Sequence, residues 1–270
     1  MLDDSVLPRE ILRRGAYVCL QLADGADPRA VAGVAIPALA EKLGLVNEFE
    51  PPGGPPAQSI AYLQRRGATD GAIADDAIAR ADAVVHVAAP DAQPVDDFCA
   101  EAARLLGSLA RLRVVGGVVR PRAYTGAAMN NFAYAHQVVQ QPGRLMPNAF
   151  LLPMSKTAEW WAKDWMERHT YFLPRYDDSG RMQSEGHALA SAAGISCLLR
   201  RTYKAPTEPA PAGTYDFVTY FECADADTEA FHRVCDALRD VRRNPEWKFV
   251  REGPTWHGRR VATWDELFQR

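Results

Sequence analysis

Two stretches of this chain carry the same pattern, and that repetition restricts the fold more than any other feature. Asp82-Ala83-Val84-Val85-His86-Val87 is a short β-rich run; an acidic, proline-containing loop follows it, and then residues 98–106, apolar at helical spacing. Asp216-Phe217-Val218-Thr219-Tyr220-Phe221 repeats the strand signal, residues 225–227 repeat the acidic loop, and Phe231, Val234, Cys235 and Leu238 form a stripe at i, i+3, i+4, i+7. The two leading aspartates are 134 residues apart (216 − 82), and the Asp-to-Phe interval is 16 in the first copy and 15 in the second. One domain, duplicated, accounts for this. Further strands are expected at 17–22 and 112–119 in the first copy and at 195–203 and 247–251 in the second. Strands interleaved with helices on one face predict an α+β fold: two ferredoxin-like repeats forming a dimeric α+β barrel within one chain, with an N-terminal half over 1–145 and a C-terminal half over 146–270. The Pro/Gly-rich segment 47–57 reads as a loop, 205–213 as a long hairpin turn, and 124–153 as an irregular crossover between the halves.

Charge and composition narrow the function. Lys and Arg number 31 against 34 Asp and Glu, a net charge of -3, which gives no electrostatic reason to expect nucleic acid. Apolar runs fall short of the roughly 20 residues a membrane helix needs, and the opening residues Asp3, Asp4, Arg9 and Glu10 do not form a basic-then-apolar leader. A cytoplasmic protein with no membrane partner is expected. The five cysteines, Cys19, Cys99, Cys197, Cys223 and Cys235, are scattered in apolar stretches without a C-x-x-C pair, so they read as core residues and not as a disulfide or zinc framework.

G-x-G-x-x-G, P-loop, G-x-S-x-G and H-E-x-x-H patterns are all absent. The informative stretch is Pro153-Met154-Ser155-Lys156, then Trp160-Trp161, Trp165-Met166 and His169-Thr170. The spacing predicts a helix over 157–170, closed by Pro174, with Trp161, Trp165 and His169 on one face. A broad apolar wall beside one imidazole suits a porphyrin: a flat surface for the ring and a nitrogen for the iron. Of the other histidines, His86 reads as a core or edge residue, His136, His232 and His257 have no partner pattern, and His187 is a weak candidate for a distal acid–base role.

Taken in order, P-M-S-K, the W-W pair, M-x-x-H-T, D-F-V-T-Y-F-E, E-W-K-F and G-P-T resemble the C-terminal half of the chlorite dismutase family over residues 150–258. That resemblance implies a haem-binding dimeric α+β barrel with haem b as cofactor and a small oxyanion or peroxide as substrate. His169 falls on the proximal iron ligand, Glu246 on the carboxylate that hydrogen-bonds its other ring nitrogen, and Trp160 and Trp161 on the aromatic pair beside the macrocycle. Lys156 and Tyr124 are candidate partners of the haem propionates. The distal arginine of an R-x-x-Y strand falls on Arg200, with Arg201 the alternative, because neighbours on a strand face opposite ways. Leu152 stands where coproporphyrin-haem decarboxylases have a tyrosine, which disfavours that activity. The resemblance implies chlorite decomposition to chloride and dioxygen by a homo-oligomer, a pentamer favoured. The alternatives are a haem peroxidase, a non-catalytic haem-binding protein with the same barrel, or a cofactor-free monooxygenase. Two departures stand out: His169 and Arg200 are 31 residues apart (200 − 169), far beyond the dozen or so of the family, and residues 175–191 look inserted.

Overall fold

A computed structural model describes residues 14–49, 58–67, 77–119 and 146–269. The first half runs β1 (Arg14–Leu22), α1 (Pro28–Ala32), α2 (Ile36–Lys42), β2 (Val46–Asn47), β3 (Ser59–Arg65), β4 (Ala83–Ala89), α3 (Ala92–Leu106) and β5 (Ala110–Val118). The second runs β6 (Asn148–Lys156), α4 (Ala158–Ala162), α5 (Trp165–Thr170), β7 (Arg175–Tyr176), β8 (Met182–Ser184), α6 (Gly186–Ala190), β9 (Leu199–Lys204), β10 (Phe217–Cys223), α7 (Thr228–Arg239), β11 (Val250–Glu252) and β12 (Trp256–Val261). Mixed α and β elements thus surround one large, ten-stranded sheet.

Its strand order shows how the halves relate. The first half pairs in the order β5-β1-β4-β3 and the second in the order β12-β6-β10-β9, every one of these pairs antiparallel. β12 then pairs with β3 over four residues, from Gly258 opposite Arg65 to Val261 opposite Tyr62, and β5 meets β9 only at Val118 opposite Lys204. The pairings therefore close on themselves, and the strands have an inner and an outer side. Alternation along each strand sorts the side chains. Tyr17, Cys19, Leu63, Val84, Leu151, Leu199, Tyr203, Tyr220 and Trp256 pack together inside. Outside the first half, Val18, Ile60, Val85, Val87 and Phe98 are covered by α1–α3. Outside the second half, Phe150, Leu152, Leu198, Phe231 and Val234 form a smaller core under α7. β4 is buried at every position because both of its sides are covered, which is why it reads as a continuous apolar run.

Several expected boundaries shift. The helix expected over 157–170 is two short helices, since Thr157 and Asp164 each cap their own segment, by Oγ1 accepting from the Trp160 amide and Oδ1 from the Glu167 amide. Between them Lys163 is extended (φ -71, ψ 145), so Trp161, Trp165 and His169 do not share one uninterrupted helical face. β9 starts only at Leu199, after a tight turn at 192–194, and 245–249 is a turn of 3-10 helix that leads into β11. The strand that completes the second half is β12, whose Arg259-Arg260 pair conceals it in the sequence. The hairpin at 205–213 does connect β9 to β10, whereas much of 47–57 and 124–153 lies outside the described residues.

Candidate functional site

β6 ends at Lys156, and that position begins the site. Strand alternation places Phe150, Leu152, Met154 and Lys156 on the outer side. The Lys156 backbone N–H donates to Asp216 Oδ2 at 2.6 Å, which fixes the strand end against the start of β10. Its ammonium donates to Glu246 Oε1 at 2.5 Å and sits 4.3 Å from the Trp160 ring centroid. Glu246, only 2% exposed, bonds through its other carboxylate oxygen to His187 Nδ1 at 2.8 Å. A buried carboxylate between an ammonium and an imidazole holds that imidazole in one orientation and leaves Nε2 as the nitrogen that Glu246 does not address.

Backbone contacts bring His187 there. Glu185 and Gly186 amides both donate to the Arg243 carbonyl (2.8 and 3.0 Å), and the Glu185 carboxylate takes Arg243 Nε and Nη2 in a two-pronged pair (2.8 and 2.9 Å). The His187 and Ala188 amides donate to the carbonyls of Tyr171 and Phe172. Gly186 has φ +67, and a side chain there would collide with the Leu173 carbonyl, so glycine permits both the turn and the close approach. The imidazole then lies 5.0 Å from the Phe172 ring.

The histidine paired with Glu246 is thus His187, where the sequence reading expected His169. His169 lies in the last turn of α5, half-buried, on the far side of the break at Lys163. Lys156, expected at a propionate, is engaged by Glu246. Trp160 is fully buried with Tyr171 and Phe249, and Trp161 stacks on Phe217 (6.3 Å, 20°) while its indole N–H donates to Asp216 Oδ2 at 3.3 Å. Tyr124 lies outside the described residues.

The strand register separates the two arginines. Arg200 is opposite Phe221, which is opposite Phe150, and both rings belong to the outer core with Phe231. Arg200 is therefore on the outer, helix-covered side, at an exposed position. Arg201 points inward: its Nη2 donates to Glu48 Oε2 at 3.3 Å and its Nη1 lies 3.0 Å from His86 Nδ1. Burial is the largest influence and opposes the charge on Arg201, but Glu48, Tyr203 and Tyr17 together outweigh it and the guanidinium is held more firmly protonated than usual. Glu48, also penalised by burial, is kept well below the usual carboxylate range by Arg201, His86 and Arg260.

A signal for His187 was present in the spacing. His187 and Arg200 are 13 residues apart (200 − 187), the short interval that His169 fails to give. Short helices with few periodic positions hid it, because α6 has only five residues.

Solved structures of chlorite dismutases share this architecture. A mutant chlorite dismutase from Candidatus Nitrospira defluvii is matched at TM-score 0.67 and 20% identity, over 97% of this chain and 98% of that one. A second mutant of it is matched at TM-score 0.66 and 19% identity, covering 95% and 94%, and its complex with imidazole at 0.65 and 21%, covering 95% and 93%. No family model matches the sequence, and none of the curated proteins does. The chain has the chlorite dismutase-like fold along nearly its whole length. Among the described residues no helix is long and apolar enough to cross a membrane.

Proposed function

We propose that the chain is a haem b-dependent oxidoreductase that decomposes chlorite to chloride and dioxygen, or acts on a related oxyanion or peroxide. What carries the reading is the line Lys156–Glu246–His187 beside the buried Trp160, in a half whose outer side also presents Arg200. The donor set fits haem: an imidazole with one nitrogen fixed by a buried carboxylate, flanked by the Phe172 ring, which packs in one cluster with Trp160 and Trp161. His187 Nε2 would take the iron, and Trp160 and Trp161 would wall the macrocycle. Bound there, haem supplies a redox-active iron able to react with an oxyanion or peroxide.

The chain's own groups do the rest. Glu246 accepts the hydrogen bond from His187 Nδ1, making the imidazole a stronger donor and fixing its tautomer; Lys156 donates to the other carboxylate oxygen and holds Glu246 in place. The guanidinium of Arg200, permanently charged and rich in donors, binds the anionic substrate and retains the chlorine-containing anion split from it. Arg201 is committed to the interior, so it leaves this task to Arg200. The two halves are read as ferredoxin-like repeats, supported by their matching strand orders. Assembly into a homo-oligomer belongs to the same reading, and the exposed apolar side chains Trp165, Met166, Leu173 and Leu189 support it.

The test is the absorption spectrum of the chain reconstituted with haem, followed by oxygen evolution on adding chlorite. A Soret band is expected in the parent and in Arg200→Ala, with oxygen release lost in Arg200→Ala. Absence of haem binding in the parent would overturn the proposal, and a Soret band without oxygen would overturn its chlorite activity.

A further inference from the structure

Inside the closed sheet lies a second group of chemically capable side chains that the proposed haem site does not use. Tyr17, Tyr203 and Tyr220 are each at most 1% exposed, and their rings touch: Tyr17 lies 5.5 Å from Tyr220 and 5.7 Å from Tyr203, with His86 4.8 Å from Tyr17. Gly15 leaves the space that the Tyr203 ring fills, since a side chain at Gly15 would collide with it.

The three phenols differ in what stands at their oxygens. Oxidation of a phenol by one electron makes it a strong acid, so a tyrosine buried away from water is oxidised readily only where a base can receive its proton. The charged group felt most by the Tyr17 hydroxyl is Arg201, a cation that accepts no proton. Tyr220 donates to Glu222, but the carboxylate oxygen it meets is already taken by two nitrogens of Arg260. Tyr203 is different: its hydroxyl lies 2.9 Å from His86 Nε2, and His86 Nδ1 lies 3.5 Å from Glu48 Oε1. Phenol, imidazole and carboxylate stand in line, the arrangement that lets an imidazole take a proton on one nitrogen while a carboxylate balances the other.

We infer that Tyr203 is a redox-active tyrosine, with His86 its proton acceptor and Glu48 the group that offsets the charge. One electron leaves the Tyr203 ring for a one-electron oxidant; the phenolic proton passes to His86 Nε2; a neutral tyrosyl radical and an imidazolium facing Glu48 remain. Reduction by one electron returns the proton. For this His86 carries its resting proton on Nδ1, facing Glu48 Oε1, so that Nδ1 accepts nothing from Arg201 Nη1 (3.0 Å from Nδ1 and 3.3 Å from Nε2), and the guanidinium is held through Nη2 by Glu48, which offsets both cations. Tyr17 and Tyr220 serve as contact partners through which the electron reaches or leaves Tyr203. The strand that presents Arg200 and Thr202 outward presents Arg201 and Tyr203 inward, so the interior lies one strand away from the proposed haem site. Oxidants of the peroxide or oxyanion class, acting at haem there, are the chemical source this placement favours.

The radical itself is tested on the chain without haem, so the outcome does not depend on the haem reading. Photogenerated tris(bipyridine)ruthenium(III) removes one electron, and the frozen sample is read by electron paramagnetic resonance. A tyrosyl signal is expected in the parent, in Tyr17→Phe and in Tyr220→Phe, with loss to background in Tyr203→Phe and a shorter-lived signal in His86→Gln. Tyr203→Phe removes one oxygen and keeps the ring, and circular dichroism checks that each variant is folded. An undiminished signal in Tyr203→Phe, or no tyrosyl signal in the parent, overturns the inference. A signal in the haem-free chain but none from the haem-loaded chain with hydrogen peroxide overturns the coupling of the two sites.

Discussion

The outer sides of the two halves present the same strand order and opposite uses of it. In the first half α3 is fifteen residues of continuous helix, ended by Gly107 at φ +50, and it buries Val95, Phe98, Ala102 and Leu106 against the sheet. Trp264 and Leu267 seal the same core from the far end of the chain. In the second half the connection from β6 to β9 is broken into helices of five, six and five residues, leaving Trp165, Met166 and Leu189 exposed. What the break provides is placement: Lys156, Glu246 and His187 come from three separate segments and meet within hydrogen-bonding distance. The counterpart of α3 in the second half is α7, and the counterpart of this connection in the first half is α1 with α2, whose Val31, Ile36, Leu39 and Ala40 are apolar and buried in the core. One half spends the connection between its first two long strands on the apolar core and the other on a polar cluster.

That contrast can be broken by experiment. The largest effect is expected for His187→Ala, which should abolish the Soret band of the haem-reconstituted chain while His169→Ala leaves it; the reverse would move the site to the end of α5. Next is the network that ties the halves together. Removing Glu48 leaves Arg201 without its buried counter-charge and Arg260 with Glu222 alone, and Glu48→Ala should lower the urea-derived unfolding free energy by about 3–5 kcal/mol. The sign of its pH dependence follows from the depressed folded pKa. The contribution of Glu48 is fully present above the usual carboxylate range and is lost as pH falls through its lower folded value, so the parent should lose stability in acid more steeply than Glu48→Gln.

Phe98→Ala, in the first-half core, should cost about 3–4 kcal/mol in the same denaturation measurement and leave haem affinity unchanged. Loss of affinity there would show that the first half is not merely structural. The smallest effect is expected for Glu185→Ala. Its pair with Arg243 is partly exposed and is worth at most about 1 kcal/mol in stability. Haem affinity measured by titration should nonetheless fall, since that pair fixes the segment carrying His187.

The repeat was legible because β4 with α3 and β10 with α7 are long, strongly patterned units whose strand and helix periods survive in the sequence. β12 was not, because its Arg260 is buried by pairing with Glu48 and Glu222, partners distant in the chain, and a buried arginine reads as a surface one. The single helix expected over 157–170 failed on Asp164, whose side chain caps a new start and so cuts the face on which Trp161 and His169 were expected together. Order of motif alone groups Lys156, Trp160, Trp161 and Glu246, and the fold brings Lys156 to Glu246 and to the Trp160 ring. Choosing the histidine required knowing that residues 171–186 fold back, through backbone bonds to Arg243, and no local pattern announces that.

The closing strand has a consequence for how the chain is made. β12 is the partner of both β3 and β6, and among the described residues it follows every other strand in the chain. Until residues 256–261 leave the ribosome, each half carries an open strand edge beside an apolar sheet, the kind of edge that pairs with other chains. The nascent protein therefore carries two sticky borders until β12 is made, and that short segment of six residues, holding two arginines, joins them to each other.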